Sequence, residues 1–199
     1  MTSEECAIIV ADCWGLLAAG ARDRQSPMHV PVVASIAADG APDQRVMVLR
    51  GADPETATLR FNADARSPKL AQVAAHPAVH VLAYDPIAKV QLRLSGLGSV
   101  DACGTNADDA WDAATLFARR CYLATKAPGT TSATATSGLP AAIEGIKPSA
   151  DEIARGRPNF ATLSVAVERI DWLYLANSGH RRAQLTRAGS GWHGEWVVP

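Results

Sequence analysis

Apolar residues recur every three or four positions at the start of this chain and every second position through most of the remainder. Thr2 followed by Glu5 forms a capping-box pattern, and Cys6, Ile9, Val10, Cys13, Trp14 and Leu17 then share one helical face. An amphipathic helix over residues 1–20, ending near Gly20, is predicted. From Val30 the period shortens to that of strands. Val30–Ala37 leads to an Ala-Asp-Gly turn, and Arg45–Arg50 and Thr58–Phe61 follow as further strands. Ser67 and Pro68 then open a short helix with Leu70, Val73 and Ala74 inward, stopped at His76-Pro77. Val79–Tyr84 and Val90–Val100 are strands; in the second, Val90, Leu92 and Leu94 alternate with Gln91, Arg93 and Ser95.

Asp108–Cys121 reads as a second amphipathic helix, carrying Trp111, Ala114, Phe117 and Ala118. Residues 126–158 are rich in Gly, Pro, Ser, Thr and Ala, with only Ile143–Ile146 apolar enough to pack. A loop of that length in a compact domain is usually a lid, a partner-facing arm, or disordered. Thr162–Val167, Arg169–Leu175, Ala183–Thr186 and Trp192–Val198 are again strand-like, with Gly189-Ser190-Gly191 as a hairpin turn. Six to eight strands in meander order, without βαβ alternation, predict a mainly β, antiparallel barrel with flanking helices. A single domain over 1–199 is expected.

Composition adds mostly exclusions. The net charge of −1 argues against a nucleic-acid protein relying on a broad basic surface. No apolar run reaches membrane-spanning length, so no membrane partner is expected. Cys6, Cys13, Cys103 and Cys121 form no Cys-x-x-Cys pair, and a cytoplasmic setting is the simplest expectation. His76 and His80 have the spacing of a zinc helix, but Pro77 breaks it and no Glu or third ligand accompanies them. No metal is expected. Gly96-Leu97-Gly98 lacks the third glycine of a dinucleotide fingerprint and reads as strand glycines at a bend. Nucleophile elbows and Walker loops do not occur.

The segment Phe61-Asn-Ala-Asp-Ala-Arg66-Ser67-Pro-Lys69 carries the chemistry that remains. A helix opening at Ser67 presents backbone donors and the positive end of its dipole, with Arg66 and Lys69 alongside. That combination matches a phosphate. Arg45 and Arg50 close the two ends of one predicted strand, where a regular pleat sends them to opposite faces. His180-Arg181-Arg182 marks a basic turn near the end.

In this order, Arg45–Arg50, Phe61-Asn62 with Arg66-Ser67-Pro-Lys69, Gln91 in Val-Gln-Leu-Arg-Leu-Ser-Gly, Glu168-Arg-Ile-Asp-Trp-Leu, His180-Arg-Arg and Gly191-Trp…Val-Val-Pro199 resemble the pyridoxamine 5′-phosphate oxidase-like family of FMN-binding split barrels. The Arg-Ser-Pro-Lys form and Asn159-Phe160 look closer to its "related, FMN-binding" branch than to the vitamin B6 oxidase. The resemblance implies FMN, with Arg66, Ser67 and Lys69 on its phosphate and Arg45, Val46, Met47 and Val48 beneath the ring and ribityl chain. It further implies Phe61 and Asn62 in the same pocket, a hydrogen bond from Gln91, and Phe160 near the ring. Arg50 and Arg181 fall at positions that bind an anionic substrate. A homodimer with the flavin between subunits is implied, and the 126–158 loop covers the partner's site. The oxidase's substrate tyrosine is Leu116 here, and its last arginine is Gln184. Hydride transfer from a small anionic substrate to FMN, with dioxygen or another acceptor reoxidising it, is the activity so implied. A non-catalytic protein holding flavin, a related cofactor or haem is the alternative.

Overall fold

The computed structural model describes residues 1–199. Helix α1 (Ser3–Arg22) starts from the capping box read in the sequence, Thr2 and Glu5 each bonding the other's backbone N–H. Its Cys6, Ile9, Cys13, Trp14 and Leu17 are buried against the sheet, so both early cysteines are core residues. No helix is long and apolar enough to cross a membrane.

The sheet is antiparallel throughout and has nine strands, beyond the six to eight expected. They are β1 (Val32–Ile36), β2 (Pro42–Val46), β3 (Leu49–Asp53), β4 (Thr58–Asp64), β5 (Ala78–Asp85), β6 (Val90–Asp101), β7 (Phe160–Tyr174), β8 (Arg181–Ala188) and β9 (Gly191–Val197). Their spatial order is β2-β1-β5-β6-β7-β4-β3, with β8 and β9 continuing from β7. The two edges of the main path, β2 and β3, are joined only by Met47 and Val48, so the sheet curls into an open, split barrel.

Strand β7 holds the two halves together. One of its edges pairs with β6 along nearly its whole length; the other pairs with β4 through Ala166 and with β8 from Arg169 onward. Two late strands were expected here, but the structure has one. It stays continuous because Glu168 is an extra residue opposite Ser95 and Gly96, and such a bulge bends a strand without ending it. Gly96 makes the bend possible: a Cβ there would stand 1.9 Å from the Ala166 carbonyl oxygen.

Other expectations shift locally. The predicted Asp108–Cys121 helix is broken into α3 (Thr105–Ala113) and α4 (Leu116–Arg119), with Thr115 capping the second. Residues 126–158 are not wholly irregular. They contain α5 (Ala150–Ala154), capped by Ser149 and Glu152, whose Ile153 is buried beside Trp111, Tyr122 and Phe160. The last hairpin turns at Gly189-Ser190, with Gly189 at φ +62°, as a two-residue loop requires.

Replacing Gly96 with alanine is expected to lower unfolding stability by about 1–3 kcal/mol, because the added methyl forces β6 and β7 apart. Urea denaturation of the variant checks this.

Candidate functional site

The sequence Arg45-Val-Met-Val-Leu-Arg50 looks like one regular strand and is not. It breaks at Met47 and Val48, where β2 becomes β3 and Met47 donates its N–H to the Pro31 carbonyl at 3.0 Å. A second irregularity follows at once. Leu49 pairs with Phe61 and Gly51 pairs with Arg60, leaving Arg50 as an extra, bulged residue. Bulges re-aim side chains. Arg45 and Arg50 therefore line the same cavity, together with Val46, Met47, Val48, Asn62 and Lys69, contrary to their expected placement on opposite faces.

This cavity, about 290 Å³, is continuous in its walls with one of about 600 Å³, both being bounded by Asn62, Lys69, Cys121 and Tyr122. Asn62 and Lys69 come from the end of β4 and the start of α2 (Pro68–Ala75). The larger chamber is roofed by residues 124–139, a strap of the same chain that supplies Lys126 and several Ser and Thr hydroxyls. The first part of the loop read as a lid or partner-facing arm thus lies over a chamber of its own chain. Gly129 sits on Pro68 at the head of α2.

Charge dominates the walls. Arg45 is held by the Val33 carbonyl (3.2 Å), the Ser35 hydroxyl (2.7 Å) and Gln72 Oε1 (3.2 Å), and it pairs with Asp43. Arg50, Arg60 and Lys69 take part in no ion pair. Burial and then the nearby Arg45 charge push the Lys69 amine below the ordinary lysine value. Burial and then Arg50 likewise depress the Arg60 guanidinium. Like charges held together without acids are costly in a folded protein, and a bound anion relieves the cost.

The head of α2 is half as expected. Ser67 occupies the N-cap position, yet its hydroxyl caps nothing; it is 2% exposed and has no hydrogen-bond partner. A buried hydroxyl without a partner costs about 1–3 kcal/mol. Arg66 does not point free cations into the cavity. It grips Asp64 through Nε (3.0 Å) and Nη2 (2.7 Å), and Nη2 also donates to the Ala124 carbonyl at 3.0 Å. Only its Nη1 donors stay unpaired.

Several residues expected at the site lie elsewhere. Alternation along β4 sends Asn62 to the cavity and Phe61 into the core, where it is fully buried. Phe160 is likewise buried, packed edge-on against Trp111 and Tyr122, and so only backs the Tyr122 that lines the cavity. Gln91 faces outward on β6 and borders a different cavity of about 220 Å³ with Val32, Gln44, His80, Leu82 and Arg93. Arg181 is exposed at the start of β8, away from the cation-lined walls. Arg60 lies on the same face of β4 as Asn62, two residues earlier, and borders neither chamber.

Arg66→Ala is expected to free the strap at Ala124, raising amide exchange over residues 124–139 while leaving the sheet core protected. Hydrogen-exchange mass spectrometry would show it, and exchange unchanged in the strap would refute the latch.

Residues 14–101 match the family model described as pyridoxamine 5′-phosphate oxidase, FMN-binding domain. No curated protein matches the chain in sequence. Among solved structures, a pyridoxamine 5′-phosphate oxidase-related, FMN-binding protein from Nostoc punctiforme PCC 73102 is 22% identical at a TM-score of 0.74, covering 95% of this chain and 96% of its own. PhzG from Burkholderia lata 383, in complex with tetrahydrophenazine-1-carboxylic acid, is 17% identical at 0.70, covering 97% and 92%. A protein from Clostridium acetobutylicum related to general stress protein 26 is 10% identical at 0.55, covering 88% and 93%. Residues 14–101 are therefore similar to the pyridoxamine 5′-phosphate oxidase, FMN-binding domain family, and the chain as a whole has the split-barrel fold of these structures.

Proposed function

We propose that the chain binds FMN in the cation-lined cavity and acts as an oxidoreductase on a small anionic substrate. The observation that carries the reading is the pair of cations Arg50 and Lys69, which line one cavity without ion-pair partners, beside a buried, unpartnered Ser67 hydroxyl. The match of residues 14–101 to an FMN-binding domain family supports the choice of ligand. An oxyanion at the head of α2 supplies both deficits at once, accepting from Ser67 and neutralising Lys69. The two chambers together have the size of sites that enclose a cofactor.

In this reading Lys69, Ser67 and Nη1 of Arg66 hold the phosphate, while the backbone of Arg45–Val48 and the Asn62 side chain line the remainder. Bound FMN supplies two-electron redox chemistry, taking hydride from a substrate and passing electrons to dioxygen or another acceptor. The protein's part is to place charge and exclude water. Arg45, fixed by Val33, Ser35, Gln72 and Asp43, gives that wall a preorganised positive field. The strap shields the larger chamber from solvent.

Gln91 and Arg181 reach this cavity only from a second copy of the chain. The outward face of β1, β2 and β5 offers a seat for one: Val46, Val32 and Leu82 stand in one cross-strand row, with Tyr84 one row beyond. Val46 is 65% exposed and also lines the cavity, so the apolar row runs into the site. A homodimer covering that row is part of the proposal. Light scattering is expected to give twice the 20.9 kDa chain mass, falling toward one in Leu82→Glu.

Purified protein is expected to absorb between about 350 and 500 nm from the flavin. Lys69→Gln is expected to weaken FMN binding by about 10–100-fold, the loss of one charge-assisted contact. Affinity should also fall as pH rises through the depressed Lys69 value, since binding favours the protonated amine. Lys69→Gln should lose that alkaline limb. A colourless protein that cannot be reconstituted with FMN would refute the reading.

A further inference from the structure

The two chambers share four wall residues, Asn62, Lys69, Cys121 and Tyr122, and a ligand reaching from one chamber to the other passes between them. In the proposed function Lys69 belongs to the phosphate corner, while Arg45–Val48 line the smaller chamber beyond. The part of the ligand at this neck is then the linker between phosphate and ring. We infer that Tyr122 is a positioning residue there, its hydroxyl donating a hydrogen bond to a hydroxyl oxygen of a polyol linker. The inference rests on the proposed function for the direction in which the ligand runs through the neck.

Tyr122 is 7% exposed, and its hydroxyl makes no hydrogen bond within the chain. Its neighbours at the neck are differently committed. Cys121 spends its thiol on the Ala118 carbonyl at 3.2 Å. Asn62 Oδ1 accepts from Arg60 at 3.3 Å, which leaves the Asn62 amide nitrogen as a donor. Burial raises the Tyr122 phenol above its ordinary value, with Cys121 and Asp64 adding to the rise and Arg50 opposing it. Arg50 lines only the smaller chamber and Asp64 only the larger, so the hydroxyl stands between the two. A phenol raised in this way stays a neutral O–H donor at neutral pH. Neutral donors at the neck suit the uncharged oxygens of a polyol, whereas the charged group is better met by Lys69. The tyrosine ring is also fixed in place. Trp111 and Phe160 pack edge-on against it, with centroids 5.9 and 4.9 Å away, and Asn159 Nδ2 donates to the Tyr122 carbonyl at 2.8 Å. The hydroxyl is therefore preorganised before any ligand arrives.

Three flavins separate the parts of the ligand. FMN carries phosphate, polyol chain and ring; riboflavin lacks the phosphate; lumiflavin lacks the chain as well. Each is titrated into the full chain stripped of flavin, and binding is read from quenching of flavin fluorescence. Tyr122→Phe keeps the ring in its seat and removes only the hydroxyl. It is expected to weaken FMN and riboflavin alike by about 5–10-fold, the loss of one hydrogen bond, and to leave lumiflavin unchanged. A merely structural role would weaken all three together. Equal loss for lumiflavin, loss confined to FMN, or no loss for any of the three overturns the inference and leaves the proposed function standing. Wild-type protein that binds none of the three overturns the proposed function, and the inference with it.

Discussion

The arrangement depends on one departure from strand geometry. A pleated strand sends neighbouring side chains to opposite faces, and two arginines five positions apart cannot meet unless the parity is broken. Here the strand is interrupted at Met47–Val48, and the parity is broken at the Arg50 bulge that follows. The same break lets β2 and β3 lie on opposite edges of the open barrel while remaining consecutive in the chain. Closing the fold and assembling the cavity are therefore one structural event. The far side uses the same device, since Glu168 lets β7 exchange β4 for β8 without ending.

The cavity is expensive for the isolated chain. Arg50 and Lys69 share a wall without an ion pair to either, and Ser67 buries a hydroxyl that nothing satisfies. Acids are not lacking nearby: Asp43 and Asp64 sit at the rim, but each is committed, one to Arg45 and the other to Arg66. The pairing separates cations that shape the site from cations left to act in it. Folded proteins keep local rules except where function requires a departure, and these departures coincide in one place.

Much of the fold could be read from pattern alone. The cap of α1, the alternation of β5 and β6, the glycine turn before β9 and the burial of Cys6 and Cys13 each follow from a local rule with no competitor. The errors share a cause. Val-Met-Val-Leu has the composition of an unbroken strand, so neither the junction nor the bulge left a trace in residue type. Phe61 and Phe160 are assigned to the cavity by resemblance, yet alternation along β4 and the Trp111–Tyr122 cluster claim them for packing. Asn62, whose direction follows from that same alternation, lines the cavity. Arg66 was read as a free cation because Asp64, two residues earlier, was not weighed as its partner. Tertiary placement of the strap over its own chain had no local signal at all.

Arg66 links these observations in a way that matters for how the cavity opens. Its Nη2 is shared between the Asp64 carboxylate and the Ala124 carbonyl, and Asp64 also lines the chamber that the strap roofs. The strap has little apolar surface of its own to hold it down, so polar ties such as this one carry much of its anchoring. An anion arriving at Lys69 brings negative charge beside Asp64 and competes with it for the guanidinium. Whatever the anion takes from Asp64, it leaves the Ala124 tie weaker or stronger according to how Arg66 turns. The side chain that the proposed function assigns to a phosphate is therefore also the tie between the head of α2 and the roof, through Asp64 on one side and Ala124 on the other.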